Sequence, residues 1–160
     1  MALTDEQKTE LAAHIRANTD PDVVAALLIR NDTEMARLYN LDSTFIVWKP
    51  TVSVEDYRDA LDWTEVDNIT AAKARIWEWA TGNMTLPLET GKANVRAGLA
   101  QAWPSNSNTR PALLAVAKRN ATVAEQIWAT GTGTAQTPGD LEFEYTANIQ
   151  DIGRALNDNP

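Results

Sequence analysis

At 160 residues the chain is long enough for one domain with its own core, burying roughly 70% of the surface its unfolded form exposes. It holds no cysteine, which excludes Cys-ligated zinc, iron–sulfur clusters and thiol catalysis and leaves the redox compartment open. A net charge of −8 argues against nucleic-acid binding driven by phosphate neutralisation.

From the N-terminus, Thr4 and Gln7 form a T-x-x-Q capping box that opens a helix to about Ala17, with Leu11 and Ile15 on one face. Asp20 caps the next helix and Pro21 occupies its first position; Val23, Val24, Leu27 and Leu28 give it an apolar stripe. Asn31-Asp32 interrupts, and a shorter segment follows with Met35, Leu38 and Tyr39. Thr44 to Trp48 is β-branched and aromatic, a short strand or extended segment that Pro50 keeps from a central sheet position.

Ser53 and Asp56 cap a helix to about Leu61. Thr70 opens the longest helix, to about Ala80, with Ile69, Lys73, Ile76, Trp77 and Ala80 on one face and Gly82 as its C-cap. Thr85 to Gly91 reads as a loop. Asn94 is the expected cap of a helix carrying Val95, Leu99, Ala102 and Trp103. Pro104 to Asn108 is a turn, Thr109 starts a helix with Leu113, Leu114, Val116 and Ala117, and Thr122-x-x-Glu125 caps another with Ile127 and Trp128. Gly131 to Asp140 reads as a flexible connection. Leu141 to Tyr145 alternates apolar and charged, a half-buried strand whose one partner in the chain would be Phe45 to Trp48. Asp151 to Asn157 suggests another helical turn or two. No repeat of fixed period appears.

No stretch approaches the ~20 apolar residues of a membrane span. MALTDEQKTE lacks the basic and apolar regions of a secretory signal, so the chain is expected to be made in the cytoplasm and used there or assembled there into something larger.

Catalytic chemistry finds little support. His14 is the single histidine, without Cys, Asp or Glu at ligand spacing, and reads as structural. Glu55, Asp56, Asp59 and Asp62 sit at helical spacings around Arg58; an acid/base pair needs burial that nothing here suggests, so a solvated face is the simpler reading. A sharper one is a surface that repels passing DNA. Gly131-Thr-Gly-Thr lacks the Lys-Ser/Thr of a phosphate loop. Lys118-Arg119 with Arg110 is a basic cluster that either touches an acidic neighbour or balances a helix C-terminus.

The six tryptophans are more telling. Trp77 and Trp79 lie about 200° apart around a helix, so both cannot face one core. One of the two is expected on a second contact surface, with Trp48 and Trp63 as further candidates near element ends. The competing reading is an aromatic-rich core wrapped on several sides. An unpaired strand at Leu141, Phe143 and Tyr145 points toward completion by another chain.

The phrases VWKP (47–50), WTEVDNITAAKARIWEW (63–79), ANVRAGLAQAW (93–103), TRPALLAVAKR (109–119) and ATGTGT (129–134) together resemble a family of small virion structural proteins of tailed bacteriophages, encoded near portal and capsid genes in siphophages and prophages. The resemblance spans roughly residues 45 to 150. It implies a virion location and, most like this chain in size, charge and helicity, a head–tail connector adaptor. Such adaptors form rings of about twelve copies under the portal, contacting it, their neighbours and a downstream connector or tail protein. It implies no enzyme activity, no cofactor, no metal, no sequence-specific nucleic-acid binding and no membrane. A tail-completion, terminator or capsid-decoration protein, or a cytoplasmic helical regulator, stays open.

The expected fold is mainly α, a bundle of about six to seven helices with a C-terminal extended or β segment. The expected organisation is a helical domain over 1–130 and a Gly/Thr linker with docking strand and tail over 131–160. Trp79, Trp63, Trp48, Leu141, Phe143 and Tyr145 are the candidate protein–protein interface. Glu55, Asp56, Asp59 and Asp62 are the candidate acidic face of a DNA channel. Removal of residues 135–160 is expected to leave a folded core.

Overall fold

A computed structural model describes residues 2–158. The fold is mainly α, with 53% of the described residues helical. Ten helices occur among the described residues, more than the six to seven expected, partly because α5 (Trp63–Asp67) is too short for a periodic apolar pattern; α9 (Val123–Gln126) starts at its expected cap and stops before Ile127 and Trp128. The chain divides into two compact units, residues 1–46 with 120–160 and residues 47–119. This differs from the expected boundary at 130, because the C-terminal segment packs into the core that the N-terminal helices build.

In the first unit, α1 (Asp5–Ala17) starts with the predicted capping box: Gln7 N donates to Thr4 Oγ1 at 3.2 Å and Thr4 N to Gln7 Oε1 at 2.9 Å. Asp20 caps α2 (Pro21–Leu28) and Asn31 caps α3 (Asp32–Tyr39). Such caps each contribute about 1 kcal/mol. The predicted Thr122/Glu125 box opens α9, and Asn148 Oδ1 accepts from Asp151 N at the start of α10 (Ile149–Asp158). Leu11, Ile15, Met35, Tyr39, Trp128, Ile152 and Leu156 are among the buried residues that close the core. Asn40 replaces a strand partner for Ala147, donating to its carbonyl and accepting from its amide, both at 2.8 Å. Removal of residues 135–160 would strip Ile152, Ala155 and Leu156 from this core, so the expected tolerance of that truncation does not hold.

The segment 131–139 is an ordered turn, not a free linker. It closes a hairpin in which β3 (Ala129–Thr130) pairs antiparallel with β4 (Asp140–Leu141). Ile46 N donates to Gly133 O and Gly139 N to Ile46 O, both at 2.8 Å. Gly133 has φ +63°, and a Cβ there would overlap the Phe45 ring. The predicted strand over Leu141 to Tyr145 is thus reduced to Asp140–Leu141, and its partner is Ala129–Thr130.

The second unit holds α4 (Val54–Asp59), α5, α6 (Ala71–Thr81), α7 (Ala93–Ala102) and α8 (Thr109–Val116). Trp77 stands edge-on to Tyr57 at 5.6 Å and to Trp103 at 5.7 Å, with Leu61, Leu88, Leu99 and Leu113 in the same core. Gly82 ends α6 in the left-handed region, φ +55°, with Leu86 folded over it. Lys92, not Asn94, precedes α7, and no side chain caps that helix. Val52 and Leu88 exchange backbone hydrogen bonds of 2.8 and 2.9 Å. The chain leaves the first unit within β1 (Asp42–Trp48) and returns within β2 (Lys118–Thr122), and these strands form a two-stranded sheet.

Candidate interaction surfaces

The helical geometry of α6 decides the fate of its two tryptophans. Trp77 is in the core and Trp79, two residues on, is 87% exposed. Leu86, 58% exposed, packs on Gly82, which closes α6 three positions after Trp79. Arg75, one turn before Trp79, is exposed on the Trp79 side of the helix. Trp63, at the first position of α5, is 54% exposed. Trp48 is half-buried against the second unit's core, with the Arg96 guanidinium 4.9 Å and the Lys118 ammonium 5.4 Å from its ring centroid. These cation–π contacts occupy Trp48 internally and explain the basic residue at 118 better than a helix C-terminus.

The C-terminal candidates are drawn inward. Leu141 is half-buried in β4. Phe143 lies 5.1 Å from Trp128, and Tyr145 lies 5.3 Å from Trp128 and 6.2 Å from Phe143. Tyr145 is only 5% exposed and its hydroxyl donates to Asp151 Oδ2 at 3.1 Å. Burial and the Asp151 charge push its phenol pKa up. As a docking residue Tyr145 is therefore corrected to a core residue; the alternation that marked it reads the inward face rightly and the occupant wrongly.

Among the acids, Glu55, Asp56 and Asp59 are exposed on α4. Asp62 is engaged in holding the fold. Its Oδ1 accepts from Thr64 N at 3.0 Å as the cap of α5, and its Oδ2 accepts from Asn108 Nδ2 at 3.0 Å. Glu65, which sequence reasoning missed, caps α8 from outside it, accepting from Asn108 N at 2.7 Å and Thr109 N at 2.9 Å. Hydrogen bonds from Asn108 hold the Asp62 carboxyl below its ordinary pKa, and backbone N–H groups of Thr109 and Asn108 do the same for Glu65. A proline two residues into α8 and no side-chain cap of its own mark an N-terminus that needs an outside acceptor.

A second apolar surface was not foreseen. The expected stripe of α2 splits: Val23 is buried and Leu27 half-buried, while Val24 and Leu28 turn outward with Pro21 and Ala25. Leu28 is 79% and the adjoining Ile29 73% exposed. The legible signal was composition, because PDVVAALL has one charged residue and thus no polar face to give water.

Charge follows the division of the chain. Residues 47–119 carry nine Lys and Arg against eight Asp and Glu, net +1; the remainder carries five against fourteen, net −9.

Concave sites offer little chemistry. An open groove of about 700 Å³ in the first unit is lined by Ala36, Arg37, Asn40, Asn148, Ile149 and Arg154. In the second unit a cavity of about 280 Å³ is lined by Val66, Ile69, Trp77, Met84 and Trp103. The indole N–H groups of Trp77 and Trp103 are shielded from solvent, so they present no donor to it. No group of three or more His, Asp or Glu able to hold a metal occurs among the described residues. His14 Nδ1 lies 2.9 Å from the Tyr39 hydroxyl; burial lowers the histidine pKa and raises that of Tyr39 to about 12. No helix among the described residues is long and apolar enough to cross a membrane.

Comparison with protein-family models, with curated proteins and with solved structures returns no match for this chain.

Proposed function

We propose that this chain is a non-enzymatic structural subunit of a tailed-phage virion, a head–tail connector adaptor that assembles as a ring under the portal. Its partners are copies of itself, the portal above and a connector or tail protein below. The observation that carries the reading is Trp79, 87% exposed on a helix that Gly82 closes and whose Trp77 already fills the core. Water is an unfavourable place for so large an apolar side chain, and tryptophan is the residue type most enriched among the anchors of protein interfaces. Trp63 extends the same argument. The sequence phrases between Val47 and Thr134 supply the phage context.

The acid excess suits a subunit near passing DNA, since like charge keeps a polyanion from sticking. Glu55, Asp56 and Asp59, a local acidic run within the unit of net charge +1, remain the candidate lining on α4, while Asp62 is occupied with helix capping.

Removal of the gene from the parent phage tests the proposal. An adaptor's loss leaves DNA-filled heads and finished tails that do not join, restored when the chain is supplied in trans. Normal, infectious particles without the chain would overturn it.

A further inference from the structure

We infer that copies of this chain meet head to tail, the outward stripe of α2 on one copy covering the Trp79–Leu86 face of the next. The inference rests on the ring-subunit reading above and adds which faces meet. Two apolar surfaces are left uncovered, and they differ in kind. The α2 stripe is aliphatic, built from Val24, Leu28 and Ile29, with Asp20 and Asp22 at its start and exposed Arg30 just past its end. The α6 face centres on the Trp79 ring, with Leu86 exposed on the Gly82 that closes the helix, and the helix carries Lys73 and Arg75 against Glu78. The first lies in the unit of net charge −9 and the second in the unit of net charge +1.

If α2 met α2, two units of net charge −9 would face each other. Unlike faces pair aliphatic with aromatic and acid with base, and complementary potentials set partner and register. A contact between two different patches is heterologous, and heterologous contacts propagate into rings when the rotation closes. The charge difference between the two units thus favours a head-to-tail contact over an isologous dimer.

The cysteine-free chain makes the test clean. Ala25→Cys and Ala72→Cys each put a thiol on an exposed small residue beside one of the two faces and leave Leu28 and Trp79 in place, and circular dichroism verifies that each variant folds. The two are mixed in equal amounts at high micromolar concentration and oxidised. The inference expects the mixed disulfide several-fold in excess over either homodisulfide, at twice the 17.6 kDa monomer mass. The double variant gives a ladder beyond dimer. The mixed yield falls several-fold in ~1 M salt, where the Debye length is about 3 Å. Statistical proportions of the three disulfides, homodisulfides in excess, or no cross-link at all would each overturn it. The two readings fail separately: a mixed disulfide from a chain absent from particles sinks only the virion role, and a virion protein with no mixed disulfide sinks only this contact.

Discussion

Single residues carry the sharpest predictions. Trp79 touches solvent more than protein, so Trp79→Ser should change unfolding free energy by no more than about 0.5 kcal/mol in denaturant titration. The same substitution should abolish head–tail joining in the complementation assay. A stability loss with joining intact would mark Trp79 as a packing residue. Glu65 is the opposite case, a surface carboxylate that ties α8 to α5. Its pKa and that of Asp62 are lowered in the folded chain, so the folded state binds fewer protons than the unfolded one as pH falls through the ordinary carboxylate range. Stability from these groups is present above their unfolded values, 4.5 for Glu65 and 3.8 for Asp62, and is lost as pH drops below them. Thermal melts at pH 6 and pH 3.5 should therefore show Glu65→Gln less stable than the parent at pH 6 and the gap narrowing in acid. An unchanged gap would contradict this capping role.

At the scale of elements, α10 is a full partner in the first unit's core. Ile152 is fully buried, and Ile152→Ala should cost roughly 2–5 kcal/mol in chemical denaturation. Gly133→Ala should also destabilise, since it forces a left-handed backbone on alanine and drives a methyl into Phe45; a neutral effect would show that the 131–139 turn moves freely. Elements with local signals were legible. Thr4, Asp20, Ser53 and Thr122 all accept hydrogen bonds from the turns they were expected to cap, and Gly82 ends α6 as expected. Elements made by distant pairing were not. Lys118–Thr122 has no strand composition and becomes β2 only through β1; Ala129–Thr130 is a strand only because Asp140–Leu141 lies beside it. Periodicity also left sides open: it placed Val23, Val24, Leu27 and Leu28 on one stripe, and only tertiary packing decided that Leu28 faces out. Of the candidate site, the exposure of Trp79 followed from angular arithmetic together with the face that Trp77 shares with Ile69, Ile76 and Ala80, whereas Tyr145 and Asp62 were misjudged because their partners, Asp151 and Asn108, lie in other elements.

For the whole molecule, the decisive property is uneven charge on two separately packed units, each with an apolar surface that its own core does not use. In the proposed role the chain works through contact, and that role turns on where it resides and in how many copies. Quantitative mass spectrometry of purified phage particles, counting this chain against the portal, puts that question directly. The account predicts about one copy per portal subunit, the stoichiometry of a ring seated on a ring. A ratio near one half or in the hundreds per particle would move the chain to a tail terminus or the capsid surface, and its absence from particles would contradict the virion role outright.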